Sequence, residues 1–362
     1  MVDDIDHIDS PALLVYADRA KENIRLLKGI VKDVNRLRPH VKTNKMVEVC
    51  AMMMDEGITK FKCATIAEAE MLAGINAPDI LLSYQPVGPK IMRLVSLIKA
   101  YPAVQFSCLV DNAESTAHIA AVAKTNNIVI HVFIDLNVGM NRTGIKPSEA
   151  LDLVDSIKAL TNIELVGLHG YDGHIRDTDL DSRSQKTNTS FAEVEALVDA
   201  IQTKYHVPLK IVMGGTPTFP IHAQRMNVEC SPGTFVFSDW GYKHLLPDEP
   251  FEYAALVISR VISIVDEHRV CTDLGHKSVA AENPLPRVYF LNAPDAKPVS
   301  QSEEHLVLQV EDASQYKTGD VLYGVPVHIC PTVALYDRAS VIVNKKKVAE
   351  WEVVARKRMI NF

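Results

Sequence analysis

Apolar residues along the first 240 positions of this chain switch repeatedly between two spacings. Short runs that alternate or are continuously apolar read as strands at 34–38, 61–64, 79–83, 105–110, 130–135, 163–170, 210–213 and 228–238. Stretches with apolar residues three and four apart read as helices at 46–56, 66–74, 88–100, 113–125, 147–160 and 184–204. Thr65 ahead of Ile66-Ala67-Glu68, and Asp111-Asn112 ahead of Ala113-Glu114, are the short polar residues that cap helix starts. An earlier strand, Ser10 to Tyr16, leads into a helix from Asp18 to about Val31, with Ala20, Ile24, Leu27 and Ile30 on one face. Strand then helix at this spacing predicts parallel strands with helices outside, and eight such units have the size of a (β/α)8 barrel of TIM type. An open doubly wound sheet would carry a glycine-rich fingerprint after its first strand, and none stands there.

Beyond Tyr253 the long helical spacing stops. Val257 to Val265, Arg269 to Asp273, His305 to Val310 and Val341 to Val343 read as short strands, the last running into a turn at Asn344-Lys345. The pattern therefore predicts an α/β barrel over 12–253 and a C-terminal β domain over 254–362, with residues 1–11 packing on the latter.

Composition narrows the function classes. With 362 residues, 47% hydrophobic and 23% charged, the chain reads as an ordinary globular protein. A net charge of -7 offers no attraction for nucleic acid, and Lys345-Lys346-Lys347, followed by Glu350 and Glu352, is a hairpin tip, not a membrane-binding patch. The acidic start, Met1 to Asp6, lacks the basic and apolar regions of a signal peptide, and no apolar run approaches the ~20 residues of a membrane span. The cysteines at 50, 63, 108, 230, 271 and 330 have no paired spacing, so they read as reduced thiols of a cytoplasmic protein.

In a β/α barrel the chemistry collects at the carboxyl ends of the strands. There stand Lys42, in Arg38-Pro39-His40-Val41-Lys42-Thr43; Arg142, in a Gly-punctuated loop; and Tyr171, in His169-Gly170-Tyr171-Asp172-Gly173-His174. Gly214-Gly215-Thr216 and Ser231-Pro232-Gly233-Thr234 follow the last two strands. A lysine there can lose its proton and attack a carbonyl, although the stretch alone also reads as a solvated basic turn. Gly-rich loops with hydroxyls suit a phosphate, although each alone also reads as a plain turn. Lysine, phosphate cradle, arginine and aromatic together suggest a pyridoxal phosphate site.

These segments, with Gly139-Met140-Asn141-Arg142-Thr143-Gly144, Asp273-Leu274-Gly275-His276-Lys277 and His328-Ile329-Cys330-Pro331-Thr332, resemble the D-threonine aldolase / D-serine dehydratase family of fold-type III pyridoxal phosphate enzymes. The resemblance runs from about Ser10 to near the C-terminus. It implies that Lys42 carries the cofactor as a Schiff base, that Arg142 contacts its phenolic oxygen and that Tyr171 lies near its ring. It further implies that Gly215, Thr216, Gly233 and Thr234 hold the phosphate; Pro217 has no N–H to add. One departure is Asn44, where the family usually has histidine.

His328 and Cys330, if on a strand, face the same way and can share one cation, with positions left open for water and substrate. Spacing alone also fits plain packing; with the resemblance, a divalent metal is the better reading. A thiolate favours zinc, with manganese or magnesium as alternatives. The aldolases resemble His-x-Asp here and the dehydratases His-x-Cys, which is this chain's form. The expectation is therefore a lyase for D-configured 3-hydroxy amino acids, acting by α,β-elimination. Its alternatives are retro-aldol cleavage to glycine and an aldehyde, an amino-acid racemase, and a non-catalytic pyridoxal phosphate carrier. A homodimer is the assembly that the resemblance implies.

Overall fold

The computed structural model describes residues 1–362. The chain forms two compact units, one of Leu27–Lys42, Met53–Gly233 and Lys357–Phe362, the other of Met1–Leu26, Thr43–Met52 and Thr234–Arg356. The strand β1 (Ala12–Tyr16) belongs to the second.

The first unit is the barrel. Seven parallel strands follow one another in sheet order: β2 (Lys60–Cys63), β3 (Asp79–Leu82), β4 (Gln105–Val110), β5 (Ile130–Leu136), β6 (Ile163–Gly170), β7 (Lys210–Met213) and β8 (Val228–Cys230). The eighth position differs from a regular strand. Residues Val34–Arg36 form a 3-10 turn, and the extended residues after it pair on both sides. Arg38 N–H donates to Cys230 O at 2.8 Å and His40 N–H to Pro232 O at 3.0 Å, while Lys62 N–H reaches Pro39 O at 2.9 Å. Pro39, with no N–H of its own, interrupts the ladder between these bonds. The ring thus closes with seven regular strands and one irregular stretch.

Leu81, Leu109, Phe133 and Val212 pack together as the barrel's apolar filling. At the end where the strands begin, Arg38 is fully buried and forks onto both oxygens of Asp79, at 2.7 and 2.9 Å, while its Nε donates to Glu229 at 2.7 Å. Such a buried, bidentate pairing plugs the amino end and leaves the carboxyl end for chemistry. Outside, helices start at side-chain caps, Thr65 accepting from Glu68 N–H and Asn112 from Ser115 N–H. The helix Pro89–Ala100 buries Ile91, Leu94, Val95 and Leu97, each worth roughly 1.5–3 kcal/mol relative to exposure. The C-terminus is tied back by Glu70, whose carboxylate accepts from the backbone and side chain of Asn361.

The second unit is a nine-stranded sheet of β1 with β9 (Ala255–Asp266), β10 (Arg269–Thr272), β11 (Val288–Phe290), β12 (Lys297–Gln301), β13 (Leu306–Gln309), β14 (Val321–Pro326), β15 (Arg338–Val343) and β16 (Lys346–Glu352). β1 runs parallel to β15 and antiparallel to β9, and the remaining pairs are antiparallel. Val2 and Ile8 pack with Leu14, Leu256, Ile258 and Val325 in its core. Asn344 and Lys345 at the β15–β16 turn both have positive φ, 48° and 64°, as a two-residue type I′ hairpin requires. No helix of the chain is long and apolar enough to cross a membrane.

Candidate active site

The carboxyl ends of the barrel strands bring Lys42, Arg142 and Tyr171 together. Lys42 Nζ lies 5.8 Å from the centre of the Tyr171 ring and the Arg142 guanidinium 5.0 Å from it. The turn carrying Lys42 is held by His40, whose Nδ1 accepts the Lys42 backbone N–H at 3.3 Å. In neutral imidazole this leaves the proton on Nε2, which faces Ser83 Oγ at 3.5 Å. The Arg142 loop folds on Asn137, whose Oδ1 accepts from Gly139 N–H and Asn141 N–H. A cavity of about 630 Å³ opens here, bounded by His40, Lys42, Gln85, Asp111 and Arg142 among others.

The Gly-rich loop reaches the same ring. A Cβ on Gly215 would stand 2.9 Å from Tyr171 Cε2, so only glycine lets the backbone approach this closely. Gly215 O accepts from Thr218 N–H and Phe219 N–H, curling the loop back. The loop is also fastened to the Tyr171 segment. The fully buried carboxylate of Asp172 accepts from Thr218 Oγ1 at 2.6 Å and pairs with His222 Nε2 at 2.7 Å. Burial alone would raise the Asp172 pKa, but the bonds from His222 and Thr218 outweigh it and hold the carboxyl below its usual range.

Two buried groups beside this site were not singled out from the sequence. Asp135, at the end of β5, accepts from Gln85, Thr143 and His169 Nδ1 at 2.9, 2.9 and 2.8 Å. Burial lowers the His169 pKa in spite of Asp135, so the ring is neutral, donates from Nδ1 and keeps a lone pair on Nε2. That Nε2 is buried without a partner. The second group is Lys62, in the middle of β2 and 2% exposed, with Nζ on Ser231 Oγ at 2.5 Å and 6.0 Å from the Tyr171 ring centre. Burial, and next the charge of Lys42, lower its pKa to about 7. The available signal was a lone charge inside the apolar run Phe61-Lys62-Cys63-Ala64.

Three basic side chains therefore converge on one ring without an ion pair among them, next to an unpartnered imidazole nitrogen and to Gly215, where a Cβ has no room. This donor set fits an anionic, planar, carbonyl-bearing group such as pyridoxal phosphate.

In the β-rich unit, His328 and Cys330 are not on a strand. His328 is the extended residue capping the short helix Ile329–Val333, and Cys330 lies in its first turn. The two side chains still touch: burial opposes charge on His328, but contact with Cys330, with help from Asp239 and Glu282, raises its pKa to about 9. Glu282 takes His328 Nδ1 at 2.6 Å, which leaves Nε2 as the ligand face. Cys330 Sγ lies 3.1 Å from Thr43 Oγ1 and 3.5 Å from Thr234 Oγ1. Asp239 caps the helix instead of joining the pair, accepting Ile329 N–H at 3.1 Å, and burial raises its pKa to about 6. No group of three or more His, Cys, Asp or Glu side chains forms a ready metal cluster. Thiol plus oriented imidazole fits a divalent ion with open positions. Asn44, in place of the family's histidine, is a buried turn residue whose Oδ1 accepts from Met46 N–H and Cys50 Sγ.

Comparison with known proteins gives the chain's family. Residues 15–239 match the alanine racemase N-terminal domain and residues 254–342 a putative serine dehydratase domain. The chain is 27% identical to a 3-hydroxy-D-aspartate aldolase of Paracoccus denitrificans (strain Pd 1222), over 98% of this chain and 93% of the relative. It is 23% identical to a D-threo-3-hydroxyaspartate dehydratase of Delftia sp. (strain HT23), over 97% of this chain and 99% of the relative. The fold superposes on a crystal structure of D-threonine aldolase from Filomicrobium marinum with a TM-score of 0.89 at 24% identity, covering 96% of this chain and 95% of that one. The chain belongs to the alanine racemase-like, fold-type III pyridoxal phosphate enzymes, in the D-threonine aldolase / D-serine dehydratase family of lyases.

Proposed function

We propose that the protein is a divalent-metal-dependent lyase that eliminates the 3-hydroxyl and the α-proton of a D-configured 3-hydroxy amino acid, in the manner of a D-serine dehydratase. The observation that carries this is the His328–Cys330 pair, whose thiol lies 3.1 Å from the hydroxyl of Thr43, the residue directly after Lys42. A thiolate beside an imidazole suits zinc, with manganese and magnesium as the oxygen-preferring alternatives.

In this reading Lys42 holds the cofactor through Nζ, Arg142 and Tyr171 flank its ring, and Gly215, Thr216, Gly233 and Thr234 receive its phosphate. Bound there, pyridoxal phosphate supplies an electron sink for charge at Cα, and the metal supplies Lewis acidity at the 3-hydroxyl. Once displaced from the cofactor by the substrate's own amine, Lys42 Nζ would be placed to take the α-proton. His40 orients it by bonding its backbone N–H. Glu282 fixes the His328 ring through Nδ1, which leaves Nε2 to serve beside Cys330 as a ligand. A racemase would leave the His328–Cys330 pair unused, and a carrier would leave the β-rich unit unused. The working form in this proposal is a cytoplasmic homodimer.

The second reading is retro-aldol cleavage, favoured by the higher identity to the Paracoccus aldolase, 27% against 23% for the Delftia dehydratase. Product analysis on D-serine, D-threonine and 3-hydroxy-D-aspartate separates the two. A 2-oxo acid and ammonia support elimination; glycine and an aldehyde replace it with the aldolase.

A further inference from the structure

The proposed chemistry leaves one buried lysine without a task. Lys62 is 2% exposed, and its Nζ bonds to a hydroxyl, that of Ser231, and to no carboxylate. An amine this far from water ordinarily pairs with an acid or gives up its proton. The charged groups that face it come from several strand ends: Lys42 and Arg38 from the closing stretch, Asp135 from β5, and His169 and Asp172 at the end of β6. Both carboxylates are already engaged, Asp135 by Gln85, Thr143 and His169, Asp172 by Thr218 and His222. Arg38 is engaged by Asp79 and Glu229. What remains around the Tyr171 ring is positive: Lys42, Lys62 and Arg142, at 5.8, 6.0 and 5.0 Å from its centre. Ser231 directly precedes Pro232-Gly233-Thr234, so Lys62 is anchored to the loop assigned to the phosphate.

Resting on the reading of this pocket as the pyridoxal phosphate site, we propose that Lys62 is a proton-gathering cation of that site, which takes up a proton from solvent when the anionic cofactor enters. The balance is simple: one proton passes from water to Nζ, and no other bond of Lys62 changes. In the empty pocket, burial and the Lys42 charge hold the Lys62 pKa near about 7. About half of the molecules then carry the proton at pH 7, and a nearby anion, by favouring the charged form, completes the protonation.

The test is calorimetric titration of cofactor-free protein with pyridoxal phosphate at pH 7, in two buffers of different ionisation heat. The difference gives the protons taken up per cofactor bound. Wild type is expected to take up roughly half a proton more than Lys62→Met. Equal uptake, with the cofactor bound by both proteins, overturns the role of Lys62. Failure of wild type to bind pyridoxal phosphate is a distinct result that overturns the site reading beneath it. Should Lys62→Met not fold, Lys62→Arg decides, because guanidinium stays charged throughout: uptake reduced by the same half proton supports the proposal, and undiminished uptake overturns it.

Discussion

Replacing Lys62 by methionine keeps an unbranched side chain, one atom shorter, and removes its titration, so the pH dependence of the difference isolates one proton's effect on folding. In the folded, cofactor-free protein the pKa lies at about 7 against an ordinary 10.5, a fall caused first by burial and then by Lys42. The unfolded chain therefore binds more protons than the folded one between these values, and stability rises with pH through that window. Below about pH 7 the penalty is complete, and above about 10.5 it is gone. At roughly 1.36 kcal/mol per pKa unit, and with the group half-protonated at pH 7, the gain between pH 7 and 9 is about 2.3 kcal/mol. Buried Cys108 and Cys230, each raised by burial to about 12, bias stability the opposite way at alkaline pH. Subtracting the Lys62→Met profile cancels them. The assay is urea unfolding of both cofactor-free proteins at pH 7 and 9, where wild type should gain about 2.3 kcal/mol relative to the variant. Parallel profiles would refute the burial of an ionisable, unpaired amine at this position.

Two other substitutions separate scaffold from chemistry. Arg38→Met removes the guanidinium from Asp79 and Glu229, whose side chains are 12% and 11% exposed, and leaves them only the more exposed Lys210 and Lys60. It should destabilise the protein by about 3–5 kcal/mol in denaturant melts, with cofactor binding per folded molecule intact. Cys330→Ala should leave the cofactor's absorbance in place, while zinc affinity falls by more than the ~10- to 100-fold that losing an outer partner of a ligand costs, and turnover of D-3-hydroxy amino acids falls with it. Wild type stripped by a chelator should recover on addition of zinc, and turnover indifferent to chelator would sink the metal's role.

How much was legible depended on how local each determinant is. The β2–β8 strands and their helices were readable because each carries its own apolar run or face, as in Pro89–Ala100. The stretch 34–38 reads as a regular strand, yet 34–36 is a 3-10 turn and only the residues after it pair, because their partners, Cys230, Pro232 and Lys62, lie far along the chain and Pro39 breaks the ladder. Spacing brought His328 and Cys330 together but with the wrong backbone. A helix starts at Ile329, and Asp239, ninety positions earlier, accepts its first N–H. Lys62 offered only a lone charge in an apolar strand run. Only closure of the barrel turns it inward onto Ser231. Asn44 is similar, since its burial and its bonds to Met46 and Cys50 come from the turn after Lys42.

The account depends most on which amine holds the cofactor, because Lys42 and Lys62 both lie about 6 Å from the Tyr171 ring. Borohydride reduction of the protein loaded with pyridoxal phosphate, followed by peptide mass mapping, reads this directly. The account expects the pyridoxyl group on Lys42 in wild type and its loss in Lys42→Ala. A label on Lys62 in wild type, or no label on any strand-end lysine, would contradict it.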